Sequence, residues 1–235
     1  MAHIDRTGAQ ISSRAFHVAR RLERDGWLLF ATRFIRLFAY GSLSVVLVFY
    51  LTGIGSSAPE ADTLMALTLV GDTVVSLYLS TRADRIGRRR TLLIGAALMA
   101  AAGIVFASTN TLWLLVLAGT VGVISPSGNE VGPFLPIEQA ALSHVSTDRT
   151  RTELLAWYTL VGSFATAFGA LMAGMATRAL HATALTPTSR YRAIVILYAV
   201  LGATLAGLFS RLSHAVEATT QVEKKAWHAT FASLF

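Results

Sequence analysis

The sequence predicts an all-α membrane protein with six transmembrane helices, and three observations carry that prediction. Charge is scarce: 14% of the 235 residues are Asp, Glu, Lys or Arg and 54% are hydrophobic, with a mean hydropathy of +0.56, whereas a soluble domain is about 25% charged. Six apolar runs approach or exceed the roughly 20 residues that a helix needs to cross a hydrocarbon core of about 30 Å. The connections between them are short, and the basic residues gather in alternate connections.

Residues 1–27 form a basic tail. They are polar and Arg-rich, and they lack the apolar core and small-residue cleavage site of a secretory signal. The membrane bundle is expected over 28–210. Its first span is Leu28–Gly53, with Arg33, Arg36 and Tyr40 inside it. The second is Thr63–Ser80, with Asp72 near its centre, and the third is Thr91–Ser108. Only Thr109–Thr111 separates the third from the fourth, so those two form a tight hairpin. The fourth, Leu112–Ala140, contains Ser125-Pro126-Ser127-Gly128-Asn129-Glu130-Val131-Gly132-Pro133. Proline removes a helix donor and clashes with the preceding turn, so this span should kink or partly unwind. The fifth is Glu153–Thr177 and the sixth Tyr191–Ser210; residues 211–235 form a second polar tail. All spans must be helical, because backbone groups in lipid have to be bonded within the segment. The Gly and Ala of spans three, five and six let helices approach closely. Trp27, Trp113 and Tyr191 stand at span ends, where interfacial rings anchor. Spans one to three and four to six could form an inverted 3+3 repeat.

An even number of spans puts both termini on one side. Fifteen of the Lys and Arg residues fall on that side and three on the other, with Arg33 and Arg36 inside span one. The bias places both termini in the cytoplasm and makes the chain a multi-pass protein of the cell (inner or plasma) membrane. It also accounts for the net charge of +7 without nucleic acid, since the basic residues form a collar beside anionic lipid. No catalytic set and no metal site are expected. There is no cysteine, and the six histidines are scattered, outside all six predicted spans. A serine nucleophile needs a base within hydrogen-bond reach, so an intramembrane enzyme is the weakest reading.

The connection between spans two and three reads Ser80-Thr81-Arg82-Ala83-Asp84-Arg85-Ile86-Gly87-Arg88-Arg89-Arg90. Such a loop needs backbone freedom, which Gly87 supplies. Asp84 is placed near the start of the next helix, where the dipole favours negative charge. Asp84, Arg85, Gly87, Arg88 and Arg89 resemble the loop signature of the major facilitator superfamily, approximately G-x-x-x-D-R/K-x-G-R-R/K, with Ser80 at the first glycine. Asp148-Arg149-Thr150-Arg151 is similar to the acid-Arg-x-Arg run that often precedes span five in that family. The resemblance covers about residues 28–215 and implies an N-terminal six-helix bundle. It gives the five loop residues a gating role, locking two six-helix bundles on the cytoplasmic side during alternating access. Two departures matter: span four lacks the family's usual Arg, and span five lacks the G-P pair of many antiporters, so an antiporter is not supported.

Ionisable groups deep in a membrane cost a few kcal/mol or more unless paired or hydrated, and they default to functional candidates. Arg36, Asp72, Asn129 and Glu130 are the candidates for substrate or coupling-ion contact, and Asp72 is the candidate proton carrier. At 1.5 Å per residue, Arg36 lies roughly 12 Å from the cytoplasmic end of span one, level with Glu130 about 27 Å along span four. An Arg36–Glu130 pair is therefore expected, with Arg33–Glu138 below it. Static interhelical clasps would serve equally, and Arg33 could snorkel to headgroups.

The function these observations imply is transport of an unknown small molecule by alternating access, as half of a secondary transporter. No cofactor is expected apart from a coupling proton. A lone bundle would expose its polar face to lipid, so a second six-helix bundle is the expected partner, from a homo-oligomer or a separate chain. The tail 211–235 resembles the start of a central linker. The alternatives are a truncated, non-transporting remnant or a membrane scaffold.

Overall fold

A computed structural model describes residues 3–126, 128, 132–145, 151–181, 186–213 and 216–217, with side chains from residue 24 on except those of 144 and 145. Among the described residues there are helices and connections only. They are α1 (His3–Gly53), α2 (Ala58–Ile86), α3 (Arg88–Ser108), α4 (Leu112–Val121), α5 (Phe134–Val145), α6 (Arg151–His181) and α7 (Pro187–Phe209). Five stretches are long and apolar enough to cross a membrane: Arg24–Gly53 of α1, then α2, α3, α6 and α7. The expected fourth span is divided between α4 and α5.

The helices begin where local chemistry lets them. Ser57 caps α2: its backbone N–H and hydroxyl both donate to Glu60 Oε2, at 2.8 and 2.9 Å, and Pro59 sits in the first turn, where its missing donor costs nothing. Thr186 caps α7 by accepting from the Ser189 amide at 3.3 Å, with Pro187 as the first helical residue. These caps start α2 and α7 ahead of the hydrophobic limits at Thr63 and Tyr191. The break in span four follows its composition. The α4 helix ends at Val121, and Val123 takes a left-handed φ of 54°. The next helix starts only after Pro133.

The packing has an internal order. Helix α1 packs most extensively on α6 and α7, α3 on α7, and α2 on α4. Numbering the spans one to six, exchange one with four, two with five and three with six. The pair one–five becomes four–two, one–six becomes four–three, and three–six returns to itself. Every one of these pairs is in contact, as any internal 3+3 repeat, parallel or inverted, requires.

The tightest seam is between α1 and α6. A Cβ on Gly41 would lie 2.1 Å from the Thr166 carbonyl oxygen, and one on Gly169 would lie 2.1 Å from that of Phe38. Ser42 bridges the same seam, donating to the carbonyls of Phe38 at 2.8 Å and Gly169 at 3.0 Å. Close approach through small residues replaces the hydrophobic driving force that lipid removes. At the end opposite the basic loop, Thr188 donates to the Gly53 carbonyl at 2.9 Å, and Arg192 to Asn110 at 2.9 Å.

Candidate functional site

Two polar sites stand out: a buried cluster inside the bundle and a charged ring at one end. The buried cluster is built on α1. Arg36 and Glu138 are both fully buried. Arg36 donates Nη1 to Oε1 at 2.9 Å and Nη2 to Oε2 at 2.6 Å, a two-pronged pairing that fits guanidinium to carboxylate. Thr32 adds a donor to Oε1 at 3.2 Å, and the Tyr158 hydroxyl of α6 donates to Oε2. The Arg36 guanidinium also lies over the Phe134 ring, 4.5 Å from its centre. One carboxylate thus ties spans one, four and five together.

The expected register is corrected here. Glu138 meets Arg36, not Arg33, one helical turn farther along α1. A single helix advancing at 1.5 Å per residue would put Glu138 beside Arg33, but α4 ends at Val121 and a separate helix, α5, begins at Phe134, so the span does not keep one helical register. Arg33 turns instead to α6, its guanidinium 4.2 Å from the centre of the Tyr158 ring. Gly162 makes that seat, since a Cβ there would fall 2.5 Å from Arg33 Nε. Asn129 and Glu130 lie outside the described residues, and with them the expected Arg36–Glu130 contact.

Beside Arg33 a cleft of about 570 Å³ opens between span one, the break and span five. Leu37, Gly128, Leu135, Ser163, Thr166 and Ala167 line it with Arg33. Asp72 lies elsewhere, at the midpoint of α2. It is fully buried, and among the described residues neither carboxylate oxygen has a hydrogen-bond partner.

The charged ring surrounds Gly87. The loop of the sequence reading shrinks to this one residue, at φ 104°: α2 runs through Ile86 and α3 starts at Arg88. Asp84 therefore sits in the last turn of α2, not at the start of the next helix. Its side chain is 65% exposed and pairs with Arg88 Nε at 3.2 Å. Arg85 is exposed in the same turn. The carboxylate that serves the start of α3 is Glu217, beyond span six. Its oxygens accept from the amides of Arg88 at 2.7 Å and Arg89 at 3.3 Å, and anions are favoured at a helix N-terminus. Arg89 reaches across to the Ser210 carbonyl. Asp25, 1% exposed, accepts from the Ser213 amide at 3.3 Å and from its hydroxyl. The acid-Arg-x-Arg run ahead of span five lies outside the described residues except for Arg151, which donates to the Ser143 carbonyl at 3.3 Å.

Sequence reading missed Thr32, Tyr158, Gly162, Asp25, Ser213 and Glu217. Asp25 and Glu217 left a faint signal, as carboxylates just outside spans one and six in otherwise basic flanks. Tyr158 and Gly162 left none, because each gains its role from an arginine on another helix.

Five stretches long and apolar enough to cross a membrane, with a sharp charged turn between α2 and α3, define a multi-pass helical membrane protein. The chain belongs to the Major Facilitator Superfamily, whose family model matches residues 29–235. It is also 38% identical over 196 residues to an uncharacterized membrane protein of Saccharomyces cerevisiae, a match covering 83% of this chain and 44% of the relative. The match therefore spans less than half the length of that curated relative. The family is one of transporters, not enzymes.

Proposed function

We propose that this bundle carries one side of the solute pathway of a secondary transporter that moves a small molecule by alternating access. The observation that carries the reading is the cleft beside Arg33, which Gly128 of the broken fourth span lines together with Ser163 and Thr166 of span five. Irregular backbone at membrane depth is tolerated where it lines a cavity or is buried in protein. On this reading a second six-helix bundle, from another chain or another part of a longer protein, closes the cleft. The turn at Gly87, with Asp84, Arg85, Arg88 and Arg89 on the helix ends beside it, meets that bundle at the cytoplasmic face. Both termini are then cytoplasmic, in the cell membrane, as the distribution of arginines favours.

The chain has no cysteine, so single-cysteine labelling reads without background. Ser163→Cys in the cleft should react with a membrane-impermeant thiol reagent from one side of sealed vesicles. Ile104→Cys, on the exposed surface of α3, should stay silent from both. Arg90→Cys should label from the cytoplasmic side alone. A Ser163→Cys protein as unreactive as Ile104→Cys would refute the pathway assignment.

A further inference from the structure

From Leu154 to Phe209, through α6, α7 and the segment joining them, there is no Asp or Glu, and the charged residues are Arg178, Arg190 and Arg192. All three stand at the end opposite the signature turn, in the last turn of α6 or the first two turns of α7. Arg192 is engaged with Asn110. Arg190 Nη1 lies 2.5 Å from His181 Nδ1, which must be the acceptor, because a guanidinium only donates. That pair spans the gap between the two helix ends. The Nε–H of Arg190 is buried and has no partner among the described residues.

Between α6 and α7 runs a groove of about 460 Å³. The two helices touch each other little and both lean on α1, which floors the groove with Phe38 and Ser42. Ser42 is the sole polar side chain among the described residues lining it, and its hydroxyl is spent on carbonyls. On α7, Ile194 and Leu197 line the groove and follow Arg190 at helical spacing along one stripe. The rings of Phe38 and Phe168, 5.8 Å apart, close its inner end. From Phe168 to Ala179 the α6 wall is about 16 Å long, half of a hydrocarbon core of about 30 Å. This groove is distinct from the cleft beside Arg33. Ser163, Thr166 and Ala167 of the cleft and Phe168, Met172, Met175 and Ala179 of the groove fall on nearly opposite flanks of α6 at about 3.6 residues per turn. The α1 seam through Gly162 and Gly169 runs between them. A second bundle that closes the cleft therefore leaves the groove to lipid.

We propose that this groove binds one anionic phospholipid from the leaflet at that end: an acyl chain lies between α6 and α7 as far as Phe38 and Phe168, and the phosphate accepts the Nε–H of Arg190. The contact is a charge-assisted hydrogen bond, and Arg178 adds positive charge beside it. A zwitterionic headgroup would offer the same phosphate, but α6, α7 and the segment between them have no carboxylate at that end to receive its ammonium. The lipid fills the space where the two helices fail to meet and gives the buried donor its acceptor. The site stands whether or not the chain transports a solute.

Native mass spectrometry of the full chain in detergent, titrated with lipid, counts bound molecules directly. Phosphatidylglycerol should fill one saturable site about tenfold more tightly than phosphatidylcholine with the same chains, the size of one hydrogen bond to a charged group. Arg190→Gln should erase that preference. Ala176→Phe, at an exposed position lining the groove, should weaken binding of both lipids, whereas Ile104→Phe, on the exposed surface of α3, should weaken neither. Equal binding of the two lipids by the wild type, or a preference that survives Arg190→Gln, would overturn the headgroup assignment. Unaltered binding in Ala176→Phe would overturn the groove as the seat of the chain. Displacement of phosphatidylglycerol by inorganic phosphate would assign the cationic end to a free anion, and dimers that part on Ala176→Phe would assign the groove to a second copy of the chain; either result overturns the proposal.

Discussion

The Arg36–Glu138 pair shows how much at a single residue depends on its partner. Taking two ions out of water is expensive, and their attraction repays the cost only when all lone pairs and donors are used well. Glu138 meets that condition through Arg36, Thr32 and Tyr158. Removing one ion leaves the other buried without compensation. Arg36→Met alone should therefore lower stability by about 3–5 kcal/mol, read as early thermal unfolding in detergent. The double change Arg36→Met with Glu138→Leu should recover most of that loss, because two apolar side chains of similar volume leave no orphan charge. If the double variant is as unstable as the single one, the pair is needed for more than its mutual compensation.

At the scale of elements, the glycines of α6 make a graded test of helix contact. At Gly169 an added methyl meets the Phe38 backbone, which cannot move without parting α1 from α6. Gly169→Ala should cost about 1–3 kcal/mol through overpacking. At Gly162 the obstacle is the guanidinium of Arg33, so Gly162→Ala should cost less but displace Arg33 and close part of the cleft. Gly174 has nothing within 4 Å, and Gly174→Ala should be neutral or stabilising by up to about 1 kcal/mol, the helix-propensity difference. Thermal melts of the three variants should rank in that order. The spans themselves were legible because lipid admits one backbone solution and a length that can be counted. Prolines 126, 133 and 136 announced the disturbance in span four. The register beyond it was not legible, since no sequence rule gives the rise of an irregular segment, and so Glu138 was matched to Arg33 in place of Arg36. Asp84 was misplaced for a related reason: charge marked Ser80–Arg90 as a loop, while the backbone needs only Gly87 to turn.

Across the whole molecule, one end is sewn together by residues far apart in the chain. Asp25 holds Ser213, Arg89 holds Ser210, and Glu217 holds the first amides of α3. The start of span one, the turn between two and three, and the exit of span six are thereby fixed to one another. This is the end where the basic residues concentrate, so the Glu217 carboxylate is favoured there by the local field as well as by the α3 dipole. Glu217 is also the close neighbour of Gly87, 3.2 Å from where a side chain would begin, so the turn that carries the family signature is closed by a residue about 130 positions away. Hydrogen bonds to a charged group contribute about 1.5–3 kcal/mol, and roughly 1.4 kcal/mol is tenfold in an equilibrium. Glu217→Ala should therefore raise hydrogen exchange at the Arg88 and Arg89 amides at least tenfold while leaving the middle of α3 unchanged. Glu217→Gln, which keeps an acceptor without the charge, should fall between. Exchange at those amides that ignores both substitutions would mean that the exit of span six does not hold the signature turn in place.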